Sequence, residues 1–161
     1  KLGLPYLIDT FTHSTQASDK LTRWLKKLGA EWILLAGFLK KFPTSFTGYS
    51  NIEKRIINIH PSLLPSFGGK GMYGKKVHQA VLQGKKQSTG ATIHFVNNEY
   101  DKGGIISQIK VPVFQEDSID TLSDRVFDAE CQLYPQTISL LIEKILPLKK
   151  NTIYDYNKIN L

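Results

Sequence analysis

Two short apolar runs, Trp32-Ile33-Leu34-Leu35-Ala36 and Ile56-Ile57-Asn58-Ile59, limit what this chain can become. The first is continuous and stops at Gly37-Phe38, the pattern of a parallel strand covered on both faces. The second is expected to lie beside it. Upstream, Ser18 is a suitable N-cap for a helix over 19–28, in which Leu21, Trp24, Leu25 and Leu28 fall on one face and Gly29 supplies the stop. Pro5 to Asp9 reads as an earlier strand, and Lys40 to Ile52, with Pro43, Gly48 and Asn51, as a turn and a short helix. Strand, helix, strand, short helix, strand is the α/β pattern.

The second run ends in chemistry. Residues alternate faces along a strand, so Asn58 and His60 project to one side and Ile57 and Ile59 to the other, before Pro61 ends the strand. In open parallel sheets, ligands bind outside the carboxyl ends of the strands, and an amide and an imidazole placed there can polarise a carbonyl. The same residues also fit a strand-end histidine bonded to backbone and a helix-capping Ser62.

Beyond Pro65, the stretch from Ser66 to Gly74 is rich in glycine but lacks the spacing of a phosphate-binding loop, and reads as a mobile loop beside a site. A helix is expected over 75–83, ended by Gly84, with His78 structural. Thr89 to Asn97 and Ile105 to Val113 alternate as strands, joined by a loop in which Asp101 precedes Gly103-Gly104. Ser118 caps a long final helix whose apolar stripe runs Leu122, Val126, Ala129, Leu133, then Ile138, Leu141, Ile142 and Ile145, with a kink expected at Pro135. The polar stretch 147–161 is expected to be loosely held.

At 161 residues the chain suits one domain with a real core, and its 41% hydrophobic and 22% charged residues are those of a globular protein. No apolar run approaches the roughly 20 residues that span a bilayer, so no membrane partner is expected and the cytoplasm is the expected compartment. The net charge of +7 comes from scattered lysine pairs without interleaved aromatic residues, so no nucleic-acid partner is expected. The single cysteine, Cys131, falls in the final helix and is expected to be packed.

Three segments together carry a family resemblance: Asn58-x-His60-Pro61-Ser62-Leu63-Leu64-Pro65, Thr92-Ile93-His94-Phe95-Val96 and Tyr100-Asp101-Lys102-Gly103-Gly104. The chain resembles the folate-dependent formyltransferases. Arg55-Ile56-Ile57-Asn58, Lys110-Val111-Pro112-Val113 and Ala129-Glu130-x-x-x-Tyr134-Pro135 are most similar to the branch that formylates glycinamide ribonucleotide. The match runs from Leu2 to about Ile145, whereas that family begins further upstream with a strand and a glycine-serine-asparagine loop for the substrate phosphate. The resemblance therefore implies a single formyltransferase domain over 1–161, the C-terminal two-thirds or so of the family domain. The implied fold is Rossmann-like α/β, a mostly parallel sheet with helices on both faces, lacking its first strands in this chain.

The resemblance implies 10-formyltetrahydrofolate as co-substrate and the amine of glycinamide ribonucleotide as acceptor, in purine biosynthesis. Asn58, His60 and Asp101 are the implied catalytic residues. The amide and the protonated imidazole would donate to the oxyanion of a tetrahedral intermediate, and Asp101 would favour the imidazolium by attraction and relay a proton through water. The folate would be held by Leu39, Lys40, Lys41 and Phe42 and by Asn97, Asn98, Glu99, Tyr100 and Asp101, together with Asn58. Pro61, Phe127 and Glu130 would meet the ribonucleotide, although Phe127 stands where the family pattern calls for a polar residue. No metal is expected, and a homodimer is an allowed assembly. The competing readings are methionyl-tRNA formyltransferase, formyltetrahydrofolate deformylase and a non-catalytic basic module that binds RNA.

Overall fold

The computed structural model of the chain describes residues 15–42, 55–143 and 154–155. Among them run, in order, α1 (Thr15–Leu28), β1 (Ile33–Leu35), β2 (Ile56–His60), α2 (Lys75–Gln83), β3 (Ser88–Phe95), β4 (Ile105–Pro112), α3 (Ile119–Ile142) and β5 (Tyr154–Asp155). The strands form one sheet in the order β1-β2-β3-β4-β5. β1 and β2 are parallel, with Ile33 opposite Ile56 and Leu35 opposite Asn58. β4 and β5 are also parallel, whereas β2-β3 and β3-β4 are antiparallel.

The sheet separates two cores because Ile56 and Ile57 point to opposite faces and both are fully buried. On one face Ile56 packs with Ile33 and Leu35 of β1 and with Leu21 and Leu25 of α1. On the other, Ile57 joins Ala91, Ile93, Ile109 and Val111 beneath Leu122, Val126, Ala129 and Leu133 of α3. Burying each of the isoleucine, leucine and valine side chains contributes about 1.5–3 kcal/mol, so among the described helices α3 anchors the sheet most. α1 ends in a Schellman arrangement: Gly29 takes φ 61°, its N–H donates to Lys26 O and that of Ala30 to Leu25 O. Ser118 caps α3 by accepting from Thr121 N, while the Thr121 side chain accepts from Ser118 N.

The α/β architecture with helices on both faces is as expected, and several details are corrected. Among the described strands the parallel pairs are β1-β2 and β4-β5, because the short loop from Val96 to Gly104 returns β4 beside β3 as a hairpin, and a parallel pair would need a long crossover. α1 starts at Thr15, a turn before the expected Ser18 cap. On α3 the buried stripe includes Leu141 as expected but also runs through Thr137 and Leu140, leaving Ile138 half-buried and Ile142 exposed, while Ile145 lies outside the described residues. The polar Thr137 keeps the helical period by hydrogen-bonding Ser107 at 2.8 Å. The helix runs through Pro135 as one element. Of the tail, Tyr154 and Asp155 pair with Ser107 and Gln108 of β4, and the rest of 147–161 lies outside the described residues. The expected strand over Pro5 to Asp9 and most of the Lys40 to Ile52 segment lie outside the described residues. Among the described residues no helix is long and apolar enough to cross a membrane.

Candidate active site

β2 delivers its last residue, His60, 4% exposed, beside a loop that turns back over the sheet. Thr92 of β3, opposite His60, holds that loop: its hydroxyl donates to Ser62 O at 2.6 Å and accepts from Leu64 N at 3.0 Å. Gln108 of β4 completes the tie by donating to both Thr92 Oγ1 and Leu64 O. The loop thus brings the Phe67 carbonyl 2.9 Å from His60 Nε2. A carbonyl only accepts, so Nε2 carries the proton and Nδ1 is the ring nitrogen left for chemistry. That nitrogen faces Asp101 Oδ2 at 3.6 Å.

Asp101 sits in a turn at φ 55°, its side chain 13% exposed, and Gly69 N–H donates to its Oδ2 at 2.8 Å. The glycine-rich loop therefore fixes both partners of the pair, His60 through Phe67 O and Asp101 through Gly69 N. Gly68 lies between them at close quarters, since a Cβ there would stand 3.2 Å from Asp101 Cβ and collide with Leu64. Asn58 lies on the same sheet face as His60, and its Nδ2 is 3.2 Å from Nε2 of His94, the residue opposite it on β3. His94 Nε2 is also 3.6 Å from Asp101 Oδ1, and burial lowers the His94 pKa from the ordinary histidine value. Asn58, His60, His94 and Asp101 form one cluster.

Two hollows meet at this cluster. One is a recess of about 50 Å³ and the other a cavity of about 910 Å³. Phe38, Asn58, Tyr100 and Asp101 line both, so the amide and the carboxylate stand at the junction. Of the residues the resemblance assigns to folate, Lys40, Lys41, Phe42, Asn97 and Glu99 line the recess with them. Leu39 faces the large cavity instead, and Asn98 lines neither hollow. Pro61, Phe127 and Glu130 all line the large cavity.

α3 forms the far wall of that cavity. Its buried stripe at Val126, Ala129 and Leu133 faces the sheet, which turns Phe127, Glu130 and Cys131 towards the opening. Cys131, expected to be packed, is exposed there for this reason. Burial pushes the Glu130 carboxyl up to about 7. Tyr134 donates its hydroxyl to Leu35 O at 2.9 Å and ties this wall to β1. The sequence reading did not assign Thr92, Gln108 or His94 to the site. Strand register is the signal that finds them: β2 against β3 puts His94 across from Asn58 and Thr92 across from His60, and β3 against β4 puts Gln108 across from Thr92. Among the described residues no group of three or more histidine, cysteine, aspartate or glutamate side chains could hold a metal ion.

Residues 6–138 match the family model described as formyl transferase. The chain is 43% identical over 135 residues to the chloroplastic phosphoribosylglycinamide formyltransferase of Arabidopsis thaliana, covering 84% of this chain and 46% of that relative. It is 37% identical over 149 residues to the phosphoribosylglycinamide formyltransferase of Haemophilus influenzae, covering 92% of this chain and 67% of that one. The chain thus spans less than half the length of the plant relative and about two-thirds of the bacterial one. Among solved structures, glycinamide ribonucleotide transformylase 1 from Symbiobacterium toebii superposes with a TM-score of 0.70 at 32% identity, over 81% of this chain and 59% of that one. A formyltetrahydrofolate deformylase from Pseudomonas syringae gives 0.69 at 28% identity, over 81% of this chain and 41% of that one.

Proposed function

The chain belongs to the formyl transferase family, and from that membership we propose that it transfers a formyl group from 10-formyltetrahydrofolate to the amine of glycinamide ribonucleotide in purine biosynthesis. The observation that carries the reading is the convergence of Asn58, His60 and Asp101 where a small recess opens into a large cavity. In this reading the pterin end of the folate enters at the recess, the ribonucleotide takes the cavity, and the formyl carbon lies between them. The cytoplasmic setting belongs to the same proposal.

In this reading the substrate amine attacks the formyl carbon and negative charge develops on the formyl oxygen. Asn58 has a second amide hydrogen beyond the one directed at His94, and it donates that hydrogen to the oxyanion. His60 contributes through Nδ1, because Nε2 is committed to Phe67 O. A proton on Nδ1 gives an N–H placed between the oxyanion and Asp101 Oδ2, 3.6 Å away. Asp101, held by Gly69, takes the proton that the attacking nitrogen sheds, directly or through a water, and passes it towards the departing folate nitrogen. On α3, Glu130 accepts from the ribose hydroxyls, and Phe127 supplies an apolar flank.

Titration of the full chain with a 5-deaza analogue of 10-formyltetrahydrofolate tests the reading. Saturable binding with a weak dependence on salt is the expected result. Tight RNA binding with a steep salt slope and no analogue binding overturns it.

A further inference from the structure

We propose that His94 is a positioning residue that fixes which edge of the Asn58 amide faces the reacting carbonyl, a role that rests on the formyl-transfer reading above. His94 is 2% exposed, so it acts from within the sheet and through another side chain. Its Nδ1 lies 2.8 Å from Phe95 O, an acceptor, so Nδ1 carries the proton. In the neutral ring Nε2 is then a lone pair, and the Asn58 atom 3.2 Å from it is the one that can donate, Nδ2. An asparagine amide has two nearly isosteric orientations, and only one of them answers a lone pair. With that edge fixed, the second Nδ2 hydrogen and Oδ1 are directed away from His94, towards the hollows that Asn58 lines.

Two further observations fit this role. The register of β3 against β4 shifts between Ile93 and His94, a bulge of the kind that re-aims a side chain beside a site. The burial that lowers the His94 pKa keeps the ring neutral, so Nε2 stays an acceptor in the range where histidines commonly gain a charge. A proton on Nε2 would set two donors against each other and release Asn58.

The test uses three variants and one spectrum. In the full chain, His94→Leu is expected to lower kcat by about 10²-fold with KM little changed, close to the loss from Asn58→Ala. His94→Gln, which offers an acceptor near the Nε2 position, is expected to recover kcat to within about tenfold of wild type. In the Asn58→Ala background His94→Leu should add less than about twofold, because both changes remove one interaction. Additive losses, or no rescue by His94→Gln, overturn the role. Nitrogen NMR of the wild-type imidazoles decides the tautomer without any turnover: a protonated Nδ1 and an unprotonated Nε2 on His94 are expected, and the reverse pattern overturns the inference even if His94→Leu fails to fold. If the wild type transfers no formyl group, the functional reading fails, while the NMR result still stands for or against the geometry.

Discussion

The backbone N–H of Gly69 donates to Asp101 Oδ2 at 2.8 Å, so residues distant in sequence are joined where the carboxylate meets His60. The glycine-rich loop is thereby a structural part of the site. Its composition follows from the approach distance, since a Cβ on Gly68 would stand 3.2 Å from Asp101 Cβ and collide with Leu64 Cδ2.

Gly68→Ala should therefore act on catalysis more than on folding. The Leu64 methyl can rotate aside, whereas Asp101 must shift by a few tenths of an ångström and lose its alignment with His60. We expect kcat to fall by about tenfold or more while stability drops by about 1 kcal/mol. Steady-state kinetics and urea unfolding on the same preparation check this. A variant with wild-type kcat would show that the loop does not position the carboxylate.

Gly103→Ala is the contrasting case. A Cβ at Gly103 would be 1.5 Å from the Phe95 carbonyl oxygen, so two stretches of backbone would have to separate at the base of the β3-β4 hairpin. A loss of about 3 kcal/mol or more is expected, with Asp101 displaced as well because it lies two residues away. Chemical unfolding measures it, and a cost under about 1 kcal/mol would contradict the packing described.

Glu130 predicts a pH dependence of stability. Its folded pKa is raised by burial from 4.5 to about 7, so between those values the folded chain keeps a proton that the unfolded chain has released. Stability therefore falls as pH rises through that window, and the penalty is complete above about 7. Comparing the melting temperature of wild type with that of Glu130→Gln across this range isolates the effect from the buried histidines. The variant should gain on the wild type as pH rises, and parallel curves would mean that Glu130 is solvated.

Much of this was legible in the sequence, and the exceptions share a physical cause. α2, β3 and β4 follow from periodicity and glycine stops, and Asn58 and His60 from alternation along one strand. Thr92, His94 and Gln108 could not be assigned, because their contacts depend on how β2, β3 and β4 slide against one another, and register is a property of the assembled sheet. Beyond Leu133 the α3 stripe holds Leu141 as the periodicity predicts but also takes in Thr137, which apolar periodicity passes over because its hydroxyl is satisfied on Ser107, and it leaves Ile142 exposed. Cys131 was misassigned for a related reason: helical membership does not say which face meets the cavity.

The central claim is that Asn58, His60 and Asp101 carry a formyl group from a folate to an amine. The most direct measurement supplies the full chain with 10-formyltetrahydrofolate labelled with carbon-13 in the formyl group, together with glycinamide ribonucleotide, and follows the label by NMR. The account predicts that the label appears on the ribonucleotide amine, at a rate lowered about 10²–10³-fold by Asn58→Ala. Label released as formate with the amine present, or an Asn58→Ala rate equal to wild type, would contradict it.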